Sequence, residues 1–188
     1  MILTERRLRQ AASEVKSELQ HSLFSKRMLA YDSAIHYDLF ISHSFKDKEL
    51  VIGLYRLFSN ANYNVYIDWI EDSTLDRTNV TPSTASIIKN RIMNSTGTSY
   101  IATSNSTSSK WCPWELGVAD GVKGKVCILP VMDDSFKGQE YLGLYPYIEY
   151  EKVKGKDEYQ FWVYDQTDNR KYVILKDWLS GIKPYLHK

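Results

Sequence analysis

The chain has 188 residues, of which 43% are hydrophobic and 25% are charged, as in an ordinary globular domain with one sizeable core. A net charge of +1 argues against a nucleic-acid partner, no apolar run approaches the roughly 18 residues of a membrane span, and residues 1–10 lack a secretory apolar segment. Two cysteines and four scattered histidines lack metal-ligand spacing, which favours a reducing, cytoplasmic compartment and predicts no bound metal.

The first predicted element is an amphipathic helix over residues 4–29. Apolar residues recur along it at steps of three and four, and Thr4 is placed to cap its amino end. The recurring residues are Leu8, Ala12, Val15, Leu19 and Leu23. Because this segment precedes the main pattern, residues 1–30 are expected to form an accessory helix packed on the outside of the domain.

The main pattern begins with a short buried strand over residues 37–42, followed by a helix and a second strand over 65–68. Asp47 is expected to cap the helix, and Asn62 to end it in the left-handed conformation that asparagine tolerates. One face of this helix is apolar and carries Leu50, Val51, Leu54, Leu57 and Phe58.

A polar stretch over residues 69–81 follows, and its length marks it as a candidate functional loop. Thr81 and Pro82 then have the pattern of an N-cap followed by proline at the first helical position. The inner face of that helix carries Ala85, Ile88 and Ile92. The next elements are predicted as a strand over 99–103, a helix from about 112 to 121–124, and a strand over 125–131.

The alternation of strands and helices predicts an α/β fold around a mainly parallel sheet with right-handed crossovers. A fifth strand is expected over residues 147–151, a hairpin over 160–175 and a last helix over 176–186. The predicted organisation is a core domain over residues 37–153, with residues 154–188 as an extension of the same domain.

Three polar segments are predicted to meet at one edge of this sheet. In doubly wound sheets, ligands bind beyond the carboxyl ends of the strands, where the strand order reverses. For the order 2-1-3-4-5 that point lies between the first and third strands, which are followed by segments 42–47 and 104–115. Because the loop over 69–81 lies alongside, we expect a ligand crevice at this edge.

Trp111 and Glu115 are the candidate pair in this crevice. Their spacing of four places a ring and a carboxylate on one helix face, which suits a ligand with a flat ring attached to a sugar. The alternatives are an ordinary acidic residue favoured by the helix dipole, and core packing for Trp111 or Trp114. Cys112 is a weaker candidate nucleophile, because no histidine lies near it in the sequence.

Two segments resemble the motifs of Toll/interleukin-1 receptor (TIR) domains. Residues 38–44 (DLFISHS), followed by Asp47, are similar to the first box of that family. Residues 109–116 (SKWCPWEL) are similar to the Ser-x-Trp-Cys-x-x-Glu-Leu signature of many plant and bacterial members. Both motifs follow predicted strands in the family's order, within a resemblance that covers residues 37–131. It implies the flavodoxin-like TIR fold with a mainly parallel, five-stranded sheet.

Many TIR domains of this kind cleave NAD at the nicotinamide–ribose bond, and the resemblance implies that activity here, with NAD as substrate and no resident cofactor. By motif position, Glu115 is the catalytic carboxylate and Trp111 its aromatic neighbour. Ser44 and Phe45 are implied to line the pocket, although Ser44 fits a simple turn residue equally well. Trp69 belongs to the loop that TIR domains use for substrate access and for self-association.

The leading helix and tyrosine-rich end make the layout most similar to the TIR-like subunits of the Thoeris antiphage system. This resemblance implies an enzyme that is inactive until triggered and then makes a cyclic ADP-ribose isomer, which activates a partner effector after phage infection. The expected partners are therefore NAD, other TIR domains, that effector and an unknown phage trigger, with no nucleic acid or membrane. Hydrolysis and cyclisation both remain open.

Two functions of other classes are the alternatives. A non-enzymatic adaptor would only bind other TIR domains, and the Trp111–Glu115 pair argues against it because an adaptor needs no such carboxylate. An enzyme similar to nucleoside deoxyribosyltransferases would use Glu115 as a covalent nucleophile on free nucleosides instead of NAD. Trapping a glycosyl group on Glu115 would favour the second alternative.

Overall fold

The computed structural model of the protein describes residues 3–14, 35–72, 81–131 and 140–187, and one sheet of eight strands runs through them. The strands are β1 (Tyr37–Ser42), β2 (Val65–Tyr66), β3 (Ser95–Ala102), β4 (Val126–Pro130), β5 (Tyr147–Lys152), β6 (Tyr159–Tyr164), β7 (Lys171–Ile174) and β8 (Tyr185–Leu186). Their order across the sheet is β2-β1-β3-β4-β5-β6-β7-β8. Neighbours are parallel up to β5 and antiparallel from β5 to β8.

The parallel half has the predicted order 2-1-3-4-5, which confirms the flavodoxin-like arrangement. All five residues of β4 are buried, as expected for a parallel strand with both faces covered. From β1 the chain passes through one helix to β2 on one side, and then through two further helices to β3 on the other side. The strand order therefore reverses between β1 and β3, where ligands bind in folds of this kind.

Six helices occur among the described residues: α1 (Glu5–Ser13), α2 (Lys48–Asn60), α3 (Asp68–Glu71), α4 (Pro82–Met93), α5 (Trp111–Lys123) and α6 (Leu175–Leu179). Three short 3-10 turns are added at Phe45–Asp47, Ser106–Ser108 and Glu140–Leu144. One apolar cluster lies between the sheet and α1, α2 and α6, and a second lies between the sheet, α4 and α5. None of these helices is long and apolar enough to cross a membrane.

Three of the predicted helix ends are confirmed by their hydrogen bonds. The side chain of Thr4 accepts from a backbone N–H in the first turn of α1, and Thr81 does the same for α4, with Pro82 at the first helical position. Asn62 has a φ of 61° and ends α2, where the N–H of Tyr63 donates to the carbonyl of Phe58. Asparagine accepts this left-handed conformation at less cost than most residues.

One face of α1 packs against α2 and joins the apolar cluster of the domain, and its other face is exposed. Leu8 and Ala12 are fully buried against α2, and Leu3 forms a parallel bridge with Val131 just beyond β4. Gly53 of α2 allows this close approach, since a Cβ atom there would overlap the backbone carbonyl of Leu8. The predicted helix over 4–29 is described as far as Ser13, and residues 15–34 lie outside the described residues.

Gly53→Ala is expected to lower the free energy of unfolding by about 1–3 kcal/mol, because the added methyl group forces α1 away from α2. Gly121→Ala is the matched control, since a Cβ atom at that glycine of α5 has no atom within 4 Å. The control should gain up to about 1 kcal/mol, because alanine has the higher helix propensity. Urea denaturation of both variants measures the difference, and equal stability of the two would contradict this account of the α1–α2 contact.

The carboxyl-terminal segment continues the sheet. The predicted hairpin is confirmed as β6 and β7, which pair in antiparallel register. The predicted helix over 176–186 is confirmed only in its first part, because α6 ends at Leu179 and residues Tyr185–Leu186 form β8 beside β7. Gly181 ends the helix with a φ of 107°, a conformation that few residues other than glycine adopt, and this turn redirects the chain towards the sheet.

Candidate active site

The segments that follow β1 and β3 are joined by the carboxylate of Asp47. One carboxylate oxygen accepts a hydrogen bond from Thr103 Oγ1 at 2.6 Å, and the other accepts from Asn105 Nδ2 at 2.6 Å. Asp47 is the N-cap residue of α2, as predicted, but its side chain makes no cap hydrogen bond there. A buried carboxylate needs donors, and Asp47 finds them in the neighbouring loop.

The turn between β3 and α5 is held by its own hydroxyl groups. Ser106 Oγ donates to the carbonyl of Thr103 at 2.8 Å and accepts from the N–H of Thr103 at 3.1 Å. Ser109 Oγ then accepts from the N–H of Cys112 in the first turn of α5. Together with Asp47 these bonds connect the end of β1, the end of β3 and the start of α5.

Glu115 is the most deeply placed carboxylate of this region, with 0% of its surface exposed. It is the fifth residue of α5. It therefore lies beyond the first turn of the helix, and the helix dipole acts mainly within that first turn. Ser42 Oγ donates a hydrogen bond to Glu115 Oε2 at 2.6 Å, and Ser42 is also 0% exposed. The alternative of an ordinary acidic residue in the first helical turn therefore does not describe this side chain.

Tyr100 is a second buried polar group near Glu115. It lies opposite Ser42 in the register of β1 and β3, and its hydroxyl donates to the carbonyl of Ser106 at 3.4 Å. Burial raises the pKa of Tyr100 to about 12, and the charge of Glu115 contributes in the same direction. The phenol is therefore neutral at physiological pH and acts as a hydrogen-bond donor.

The two tryptophans at the start of α5 stack edge to face, with ring centroids 5.4 Å apart. Trp111 is partly buried and packs against the apolar cluster beneath α5, whereas Trp114 is 37% exposed. Trp111 lies one turn before Glu115 on the same helix, as its spacing predicts. Its ring therefore packs against the core, one helical turn before the carboxylate.

Ser44 and Phe45 follow β1, and neither is placed as deeply as Ser42. Ser44 is buried, and its Oγ accepts from the backbone N–H of Lys46 at 3.4 Å as the cap of the 3-10 turn. Phe45 is 65% exposed, with the ammonium group of Lys48 3.9 Å from its ring centroid. The structure therefore gives Ser44 a turn-forming contact and leaves most of the Phe45 side chain exposed.

Trp69 lies in α3 and not in a loop as predicted, and His43 holds it against the end of β1. The indole Nε1–H donates to His43 Nε2 at 3.1 Å, and His43 Nδ1 lies 2.9 Å from the carbonyl oxygen of Ile41. Asp68 Oδ1 also lies 3.4 Å from His43 Nε2, so this ring nitrogen contacts both an indole N–H and a carboxylate. Sequence patterns did not single out His43, and its position directly after the first-box strand was the available signal.

A buried ionic cluster anchors the chain where α3 ends. Arg91 of α4 donates to both carboxylate oxygens of Asp72, through Nε at 2.9 Å and through a terminal nitrogen at 2.8 Å. Tyr66 Oη donates to the same carboxylate at 2.7 Å. Burial by itself lowers the pKa of Arg91. The hydrogen bonds that Arg91 donates to the Asp72 carboxylate outweigh this effect, so the pKa of Arg91 is raised. This cluster connects β2, α3 and α4 directly before residues 73–80, which lie outside the described residues.

A cleft of 850 Å³ lies at the opposite edge of the sheet, between the end of α5 and the carboxyl-terminal segment. Its lining includes Asp120, Tyr145, Lys171 and Tyr185. It adjoins the amino end of β4, and is therefore separated from the carboxyl ends where Glu115 and Ser42 meet. Among the described residues, no group of three or more histidine, cysteine or acidic side chains is placed to hold a metal ion.

The sequence profile of the TIR-domain family matches residues 39–168, which span β1 to the turn after β6. The chain belongs to the TIR-domain family. This confirms the resemblance drawn from the two motifs, and the strand order agrees with the fold that the resemblance implies. Glu115, Trp111, Ser44, Phe45 and Trp69 stay predictions as site residues of this TIR domain.

Two relatives carry related names. A protein of Bacillus cereus (strain MSX-D12), named probable 3' cyclic ADP-D-ribose synthase ThsB', is 42% identical over 154 residues, which are 80% of this chain and 79% of that protein. A Cytobacillus dafuensis protein, named putative cyclic ADP-D-ribose synthase TIR2, is 33% identical over 55% of this chain but only 27% of its own length. The crystal structure of a Toll-related receptor TIR domain from Hydra magnipapillata covers 56% of this chain and 78% of its own, with 20% identity and a TM-score of 0.43.

Proposed function

We propose that this TIR domain is an enzyme that breaks the nicotinamide–ribose bond of NAD and forms a cyclic ADP-ribose isomer. The observation that carries the proposal is the 42% identity, over most of both chains, to a protein named as a probable 3' cyclic ADP-D-ribose synthase. The buried carboxylate of Glu115 supports it, because this reaction requires a group that stabilises positive charge on the ribose.

A single carboxylate is sufficient for this chemistry. Nicotinamide in NAD is a cationic pyridinium, so it departs as a neutral molecule with the electron pair of the broken bond and needs no proton from a general acid. Ordinary glycosidases need a second carboxyl group for that proton. Glu115 would stabilise the oxocarbenium-like ribose, and an oxygen of the same NAD molecule would bond to its anomeric carbon and release a proton.

Exclusion of water decides between the two possible products. Water attack gives ADP-ribose, whereas an internal hydroxyl gives the cyclic isomer if the substrate is folded and water is kept out. Glu115 is 0% exposed in this conformation, and the residues around it belong to rigid strands and a helix. A site that remains this enclosed around the substrate favours cyclisation.

The complete burial of Glu115 also supports an enzyme that is inactive until it is triggered. Substrate cannot reach a fully covered carboxylate, so an opening step must precede catalysis. We place that step in the cytoplasm after phage infection, with association between TIR domains through the region of Trp69 as its cause. Trp111, Ser44 and Phe45 would border the opened pocket. The product would then activate a separate effector protein.

The test is a small-molecule profile of bacteria that express the chain and are challenged with phage. Mass spectrometry is expected to detect a species with the mass of cyclic ADP-ribose in infected cells, and none in cells that carry Glu115→Gln. Unchanged NAD and no new product after infection by several phages would contradict the proposal. The non-enzymatic adaptor would then be the better account of this TIR domain.

A further inference from the structure

Ser42 is a hydroxyl residue at the end of β1 that reaches the buried carboxylate of Glu115. Its Oγ donates to Glu115 Oε2 at 2.6 Å, with both residues 0% exposed. We infer that Ser42 is a positioning residue, which holds the Glu115 carboxylate in the orientation that ribose stabilisation requires. This inference rests on the proposed NAD-cleaving function and assigns no substrate contact to Ser42 itself.

The position of Ser42 is determined by rigid elements. It is the last residue of β1, which pairs with β2 on one side and with β3 on the other, and Tyr100 lies directly opposite it. Glu115 lies on α5, which packs against the same face of the sheet. Side chains supported by strands and helices hold a geometry more closely than side chains on loops. The bond therefore favours one orientation of the carboxylate.

The hydrogen bond also affects the charge of the carboxylate. A hydroxyl donor stabilises the ionised form, and its effect is larger where water is absent. The distance of 2.6 Å is typical of a charge-assisted O–H···O⁻ bond. Without this donor, Glu115 would remain buried but would lose a hydrogen bond that stabilises its negative charge. Its orientation would then be less restricted, and its ionised form would be less favoured.

The hydrogen bond to Glu115 distinguishes Ser42 from Ser44, the other serine of the first box. Ser44, the residue that motif position implies, accepts from the backbone N–H of Lys46 and caps a turn. Ser42 is two residues earlier and directs its hydroxyl into the layer between β1 and α5. We therefore expect the catalytic effect of a hydroxyl in this segment to belong to Ser42.

Kinetics of the purified full chain test this inference, under the condition in which the wild type cleaves NAD. Ser42→Ala is expected to lower kcat roughly 10- to 100-fold, the effect of one hydrogen bond to a charged group, with KM changed less than about twofold. Ser42→Thr, which keeps the hydroxyl, should recover most of this loss. The matched control is Ser99→Ala, because Ser99 is equally buried but lies opposite Ile41 and faces the layer of α2.

A pH profile separates positioning from a merely structural role. In Ser42→Ala the lost donor makes Glu115 easier to protonate, so the acid limb of kcat should move to higher pH. Tyr100 remains neutral over this range, because burial raises its pKa to about 12. A structural defect alone would reduce the amount of active enzyme and leave the acid limb where it is.

The outcomes are distinct. A Ser42→Ala variant with the kcat and pH profile of the wild type would overturn the inference, as would an equal loss in Ser99→Ala. If Ser42→Ala does not fold, Ser42→Cys replaces it, since a thiol has similar volume but is a weak donor, and wild-type kinetics in that variant would also overturn the inference. A wild type that never cleaves NAD would instead overturn the proposed function.

Discussion

Glu115→Gln is expected to reduce the rate of NAD cleavage by about 10³-fold or more while the protein remains folded. Glutamine has nearly the same shape as glutamate and can still exchange a hydrogen bond with Ser42, but it carries no charge to oppose the positive ribose. Because burying a charge is unfavourable, the melting temperature of the variant should equal or exceed that of the wild type.

The measurement combines NAD turnover with thermal unfolding of the purified chain. Glu158→Gln is the matched control, because it removes an exposed carboxylate from the turn between β5 and β6 and should leave both quantities unchanged. Loss of activity with a retained or raised melting temperature identifies a group kept for chemistry at the expense of stability. Activity within tenfold of the wild type would remove Glu115 from the catalytic role.

Arg91→Met is expected to lower the free energy of unfolding by about 3–5 kcal/mol, because it leaves the buried carboxylate of Asp72 without its cationic partner. The Arg91 side chain is 4% exposed and that of Asp72 is 10% exposed, so water compensates little for the lost contact. Tyr66 would remain as a donor to Asp72, but one phenol cannot replace two hydrogen bonds from a guanidinium group.

Urea denaturation of three variants tests this prediction. Lys89→Met is the control, because Lys89 is an exposed residue of the same helix and its removal should change stability by less than about 0.5 kcal/mol. Adding Asp72→Asn to Arg91→Met should restore part of the loss, since the uncompensated charge is removed. A loss below about 1 kcal/mol in Arg91→Met would mean that the ion pair contributes little to the fold.

Sequence alone was sufficient for the features that depend on neighbours in the chain. The spacing of apolar residues predicts α2 and α4, and the hydroxyl of Thr81 beside Pro82 predicts where α4 begins. Alternating strands and helices predict the parallel order, because crossovers between parallel strands have one hand. The two motifs around residues 38–44 and 109–116 are sufficient for the family, since both lie within or beside these local elements.

The contacts of the candidate site were decided by the tertiary structure. Ser42 and Glu115 are 73 residues apart in the chain, and Asp47 and Thr103 are 56 apart. Periodicity indicates which face of an element is buried, but it carries no information about which polar side chain from another element arrives opposite. That depends on strand register and on how far α5 lies along the sheet.

Long-range contacts also decided how the first and last described elements of the chain are placed. Leu8 belongs to a helix that sequence predicts, but its burial in the core depends on the absence of a side chain at Gly53 of another helix. Residues Tyr185–Leu186 form a strand because β7 offers an open edge for pairing, which outweighs local helix preference. Sequence by itself therefore determined the elements, their order and the family, whereas long-range packing and hydrogen bonding decided which residues surround Glu115.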